Sequence, residues 1–184
     1  MNKFQPAFKK GAMMAAVGII IFLILYAIDP MYFARPIGWF TLLAVNFLAL
    51  PIVFMILGAR DTKANFTPYT FGHAFLAALL TGVAAAVLGL VFNAIFTTAI
   101  DPVWESQIAD EVMVQTELFM EKMGAPEEAI DEAMEQAKIK NESQPKGIVG
   151  QLIGTAWFIL WYAILALIIG LIQRDRKPRE DQIA

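Results

Sequence analysis

The chain has 184 residues, 58% of them hydrophobic, against roughly 45–50% in an average soluble domain. It carries a net charge of −3, one histidine and no cysteine, which excludes disulfides, thiolate chemistry and any multi-histidine metal site. The apolar excess falls in four blocks and not in alternation, the pattern of a membrane protein built as one domain over residues 1–184.

The first block runs from Gly11 to Ile28, after Lys3, Lys9 and Lys10. A charged start followed by an apolar run is also the form of a secretory signal. At 18 residues this run is longer than the usual signal core, so it is read as a span. Asp29-Pro30 is a turn-forming pair that stops a helix. The second block, Ile37 to Ala59, contains Pro51, which should kink it toward its inner end, and Asn46 as its one amide. Trp39 and Tyr32 lie where an interfacial aromatic belt is expected.

After the polar loop Arg60 to Tyr69, Thr67-Pro68 or Thr70 can cap the third block, Phe71 to Ile100. Thirty residues at 1.5 Å each reach about 45 Å, beyond a hydrocarbon core of ~30 Å, so this helix must tilt or project. Asp101-Pro102 ends it with the pair that ends the first block. The fourth block runs from Ile148 to Ile172, and Arg174, Arg176, Lys177 and Arg179 follow as an anchor.

Residues 103–147 are a different material, with eleven acidic residues against four lysines. Trp104, Ile108, Val112, Phe119 and Met123 recur mostly at i, i+4 or i+7, one apolar face of a helix. Gly124 closes that helix and Pro126 opens another, with Ile130, Ala133, Met134 and Ala137 as its stripe. Glu127 and Glu128 in its first turn and Lys138 and Lys140 in its last complement the helix dipole. The expected fold is all-α: a four-span transmembrane bundle with a two-helix extracytoplasmic insert between the third and fourth spans.

Four spans put the N-terminus, the 60–70 loop and the C-terminus on one side. That side holds nine basic residues (Lys3, Lys9, Lys10, Arg60, Lys63, Arg174, Arg176, Lys177, Arg179), and the other holds five (Arg35, Lys122, Lys138, Lys140, Lys146). The positive-inside rule makes the first side cytoplasmic and both termini with it.

Some stretches carry a resemblance. Gly58-Ala59-Arg60-Asp61 is followed after a short loop by Thr70-Phe71-Gly72-His73-Ala74-Phe75. The insert contains Met120-Glu121-Lys122-Met123-Gly124 and Pro126-Glu127-Glu128-Ala129-Ile130, and the last helix ends in a basic tail. Together these resemble a family of small bacterial membrane proteins catalogued as domain of unknown function 4199, over nearly the whole chain. The Thr70–Phe75 segment is the most specific part. Relatives tend to carry lysine where this chain has His73, so no role transfers there. The resemblance implies a four-helix protein of the bacterial inner membrane and no particular activity.

The third helix carries two rows at every fourth residue. Ala77, Thr81, Ala85, Gly89, Asn93 and Thr97 form one, and Ala74, Ala78, Gly82 and Ala86 the other. Such rows let another helix approach closely, so Gly82, Gly89 and Asn93 are candidate packing positions, with Gly150 and Gly154 of a GxxxG on the fourth helix. Asn46 and Asn93 are read as helix–helix hydrogen bonds. No Asp, Glu, Lys or Arg lies deep in a span, which argues against a pump or secondary transporter. His73 is an interfacial residue, and Asp29, Arg35, Asp101 and Glu105 are candidates for a salt-bridged cluster tying helix exits together.

No catalytic constellation, metal cluster or cofactor motif is present, and no nucleic-acid partner is expected. The leading function is a non-enzymatic accessory or scaffold subunit in the lipid bilayer, binding a membrane or periplasmic partner or a second copy of itself. Trp104, Ile108, Val112, Phe119, Met123, Ile130 and Met134 would form the docking surface, made adaptable by its methionines. The alternative is a small carrier or lipid-handling protein with a cavity lined by Asn46, Thr81 and Asn93.

Overall fold

The computed structural model describes residues 3–145 and 147–175. Lys146 and the tail residues Arg176, Lys177 and Arg179, which entered the charge count, lie outside them. All regular structure among the described residues is helical. Helix α1 is Gln5–Ile28, α2 Pro36–Leu42, α3 Leu50–Lys63, α4 Phe71–Ile95, α5 Trp104–Lys122, α6 Glu127–Ser143 and α7 Gly147–Gln173. Among the described residues, four helical stretches are long and apolar enough to cross a membrane: Gln5–Ile28, Pro36–Lys63, Phe71–Ile100 and Gly147–Gln173.

The helix ends follow from local chemistry. Asp29 stops α1 by turning its carboxylate back onto the Met31 amide, which donates to Oδ1 at 3.0 Å. A single 3₁₀ turn, Tyr32–Ala34, leads to Pro36 at the start of α2, where a missing N–H costs nothing.

The proline in the second span acts one turn earlier than its position suggests. Pro51 sits inside the first turn of α3, and the irregular segment is the π turn Leu43–Ala49 that precedes it. A proline at 51 cannot donate to the carbonyl four residues back, and its ring crowds that carbonyl. Widening the preceding turn relieves both. A second π turn, Phe96–Ile100, ends the third span, with the Asp101 amide donating to the Phe96 carbonyl at 2.8 Å. Pro102 then prevents further helix. Between α5 and α6 the chain reverses at Gly124, whose φ of +75° only glycine adopts cheaply.

The chain folds as two compact units. The first is Met1–Val17, Ala49–Leu88 and Ala156–Ala184. Its core is built from small residues: Ala7, Ala15, Ala59, Ala77, Ala78, Ala85 and Ala166, with Met14, Met55, Tyr162, Leu165 and Ile169 filling between them. Small side chains let helix backbones approach closely, the main source of helix association in lipid. At Gly58 a Cβ would overlap the Thr81 hydroxyl, and at Gly82 it would lie 2.8 Å from Tyr162. Thr81 is fully buried, its hydroxyl 2.9 Å from the Ala77 carbonyl and 3.2 Å from that of Ala7.

The polar edge of this unit is closed by Tyr69, which is fully buried. Its hydroxyl donates to the Ala59 carbonyl at 2.7 Å, its amide donates to Asp175 Oδ2 at 2.8 Å, and its carbonyl accepts from the Asp175 amide at 2.9 Å. Lys63 pairs with the same carboxylate at 2.7 Å. Burial pushes the Tyr69 phenol up to about 12. The hydrogen bond from Lys63, then that from the Tyr69 amide, hold the Asp175 carboxyl below its ordinary range. Of the two expected caps for α4, Thr70 is used: its hydroxyl and His73 Nδ1 each meet the other's amide at 3.4 Å, a reciprocal box with histidine in the third helical position. His73 also stacks on Phe66 at 4.1 Å.

The second unit, Gly18–Leu48 and Gly89–Thr155, is built on aromatic rings. Phe22 lies within 5.1–5.8 Å of Phe33, Phe92, Phe96 and Trp104, mostly edge to face. Phe96 is fully buried at the centre and also meets Tyr26 and Trp104. Edge-to-face pairing sets a positive ring edge on a negative face and adds to plain burial.

Candidate functional site on α5 and the start of α7

The aromatic cluster fixes the first turn of α5. Trp104 is held by ring contacts to Phe22, Phe33 and Phe96, and its indole N–H donates to the Pro30 carbonyl at 3.0 Å. With Trp104 seated, the next residues, Glu105 and Ser106, present their side chains beside the first turns of α7.

There Gln151 organises a relay whose donors can be assigned from chemistry alone. Thr97 Oγ1 donates its hydrogen to the Asn93 carbonyl at 2.9 Å, so it can only accept from Gln151, at 3.0 Å. Glu105 Oε1, 3.1 Å from the same amide nitrogen, can also only accept. Both Gln151 N–H groups are thereby committed, and the amide orientation is fixed. Its Oε1 is buried and has no partner among the described residues. A buried orphan acceptor costs roughly 1–3 kcal/mol.

Gln151 also lines an open cavity of about 450 Å³, with Pro102, Glu105, Ser106 and Ala109 on one side and Asn141, Gln144, Pro145, Gly147 and Gly150 on the other. Ser106 spends its hydroxyl hydrogen on the Val103 carbonyl at 2.7 Å. Lone pairs on Ser106, Glu105 and Gln151 therefore outnumber the side-chain hydrogens these three residues have left.

The acidic residues near the helix exits do not form one cluster. Asp29 pairs with Arg35 at 3.0 Å. Asp101 instead accepts the Tyr26 hydroxyl at 2.8 Å, and Glu105 accepts from Gln151. Asp101 and Glu105 thus each accept from an uncharged side chain, and Arg35 serves Asp29.

The apolar stripe of α5 divides in two. Trp104, Ile108 and Val112 are half-buried, while Phe119 is 57% and Met123 72% exposed. On α6, Ile130 is buried and Met134 half-buried. The packing glycines divide likewise. Gly82 lies against Tyr162 and Gly150 against the Pro145 carbonyl, whereas Gly89 and Gly154 have nothing within 4 Å of where a Cβ would stand. Asn93 is half-buried and contributes its backbone carbonyl to the relay. Asn46 is half-buried inside a π turn. Thr81 is sealed in the alanine core, where its hydroxyl serves the Ala77 and Ala7 carbonyls.

Gln151 is the residue that sequence reasoning missed. It follows a linker, and so reads as part of a helix boundary. The available signal was the one that singled out Asn46 and Asn93, an amide inside an apolar run.

Residues 9–175 match the family described as "Protein of unknown function (DUF4199)". Comparison with curated proteins gives no match, and comparison with solved structures gives none.

Proposed function

The chain belongs to that family, whose description assigns no activity, and we propose that it is an accessory or scaffold subunit of the bacterial inner membrane that docks a partner through α5 and α6. One observation carries this reading: Phe119 and Met123 are 57% and 72% exposed on a helix outside the four membrane-length stretches. Exposed apolar side chains on a spanning helix are covered by lipid. These two lie outside such a helix, and exposed apolar groups on an otherwise polar helix are the usual anchors of protein contacts.

Charge narrows the partner. Residues 103–147 hold eleven acidic residues and four lysines, which repels anionic lipid and favours a basic surface on a membrane or periplasmic protein. The orientation belongs to the proposal, with both termini cytoplasmic and α5 and α6 outside, and rests on the nine-to-five bias of basic residues.

Single cysteines test the orientation cleanly, because the chain has none of its own. Ser106 and Ala64 are both exposed positions. An impermeant thiol reagent added to intact cells should label Ser106→Cys and not Ala64→Cys, and the reverse pattern overturns the orientation. For docking, Phe119→Ser with Met123→Ser should abolish cross-linked partners in the membrane while the thermal stability of the purified protein stays unchanged. Retention of every cross-link by the double variant overturns the docking role.

A further inference from the structure

The polar side chains of the membrane-length stretches differ in whether the chain itself satisfies them. The hydroxyls of Thr41, Thr81, Thr97, Thr98 and Thr155 each donate to the carbonyl four residues back, at 2.6–2.9 Å. An asparagine amide asks for more, because it carries two N–H donors and a carbonyl acceptor. Asn46, in the stretch Pro36–Lys63, makes no side-chain hydrogen bond among the described residues. It is half-buried, and neither amide atom is sealed inside the chain. Leu43, Ala44, Leu48 and Ala49 around it are exposed.

Depth makes the missing partner matter. Asn46 stands ten residues after Pro36, about 15 Å into the stretch at 1.5 Å per residue, against a hydrocarbon core of ~30 Å. Asn93, by contrast, is seven residues, about 10 Å, from the end of a stretch that already overruns the core, and so lies near the headgroups. Lipid tails offer an amide neither donor nor acceptor, so an unpaired one among them is destabilising.

We propose that Asn46 is the centre of a contact between two copies of this chain, side by side in the membrane. A copy inserted the same way carries its own Asn46 at the same depth, which an unrelated helix need not do. An amide is also its own complement: across a two-fold axis each carbonyl accepts from the other's N–H. Ala44 and Ala49 add little bulk, so the backbones can come close enough for the amides to meet. No charged residue lies between Arg35 and Arg60, so two copies of this span meet without repulsion. The contact is separate from partner docking. Phe119 and Met123 lie outside the spans, and their serine variants should associate like the unaltered chain.

The test follows the full chain in liposomes of phosphatidylethanolamine and phosphatidylglycerol. Copies labelled at Ala64→Cys, the only cysteine then present, report association by energy transfer as added lipid dilutes them. Transfer should be saturable and fall on dilution. Asn46→Leu, similar in size but without an amide, should raise the apparent dissociation constant at least about fivefold. Asn46→Gln restores the amide and should recover most of that loss. The melting temperature of the monomer in detergent should stay unchanged in Asn46→Leu, since the amide has no partner inside the chain. Should that variant fail to fold, Ala44→Cys in the otherwise unaltered chain serves instead. Copper phenanthroline should cross-link it into dimers far more than Leu171→Cys, which is exposed on α7. Monomeric protein at every dilution, undiminished association of Asn46→Leu, or equal cross-linking at the two cysteines overturns the proposal.

Discussion

The two units of this protein are made cohesive by opposite means. The first is held by what its side chains lack: seven of its twelve core residues are alanine, and glycines sit where any Cβ would strike Thr81 or Tyr162. The second is held by large rings around Phe96 and by side-chain hydrogen bonds, Tyr26 to Asp101, Trp104 to Pro30 and Gln151 to Thr97 and Glu105. Rings and long polar side chains leave gaps and spare lone pairs, and the polar cavity lies in that unit. The lesson is that small side chains and large rings are two separate ways of holding helices together.

The sharpest way to break this comparison is to hollow out the aromatic unit. Phe96→Ala removes a fully buried ring with four ring neighbours and should cost about 3–5 kcal/mol, measured by thermal or denaturant unfolding in one detergent. A change below about 1 kcal/mol would mean that the cluster is loosely packed.

The complementary experiment fills the tight unit. Gly82→Leu should cost about 1–3 kcal/mol, because its Cβ alone would stand 2.8 Å from three Tyr162 atoms. Gly89→Leu, on the same helix and in open space, should change stability by less than about 0.5 kcal/mol. Equal effects at the two glycines would show that the close approach extends along the whole helix.

Smaller effects sharpen the picture. Tyr26→Phe removes the bond to Asp101 and nothing else, and should cost about 1–2 kcal/mol. In the first unit, Asp175 has a depressed pKa and thus binds protons less readily folded than unfolded. Its contribution is present above the unfolded carboxylate value of about 3.9 and is lost as pH falls through the lower folded value. Asp175→Asn should therefore flatten the acid limb of the stability curve below about pH 4 and matter less than any variant above. It is an exposed group, so salt should shrink the effect further.

Much of the architecture could be read directly from the sequence, because lipid imposes blunt rules. Runs of apolar residues long enough to span must be helical, since no water is present to satisfy open backbone groups. Asp29-Pro30, Asp101-Pro102 and Gly124–Pro126 then mark the ends and the reversal. Spacing also found the α5 stripe, but periodicity shows only that residues share a face. Which part of the face is covered depends on what lies opposite, so the split between Trp104 and Met123 was not visible.

Three features were decided only by the folded chain. The π turn before Pro51 is one solution among several to a missing N–H, chosen by the surrounding packing. The partner of each carboxylate depended on which donor the fold brings to it, and Asp101 takes the hydroxyl of Tyr26, 75 residues away in sequence. The orientation of the Gln151 amide is set by two acceptors, 54 and 46 residues away in sequence, that claim both of its hydrogens. Apolar pattern and helix punctuation are local, and a single chain displays them. Hydrogen-bond assignment and surface cover are set by distant neighbours, and only the tertiary structure brings those together.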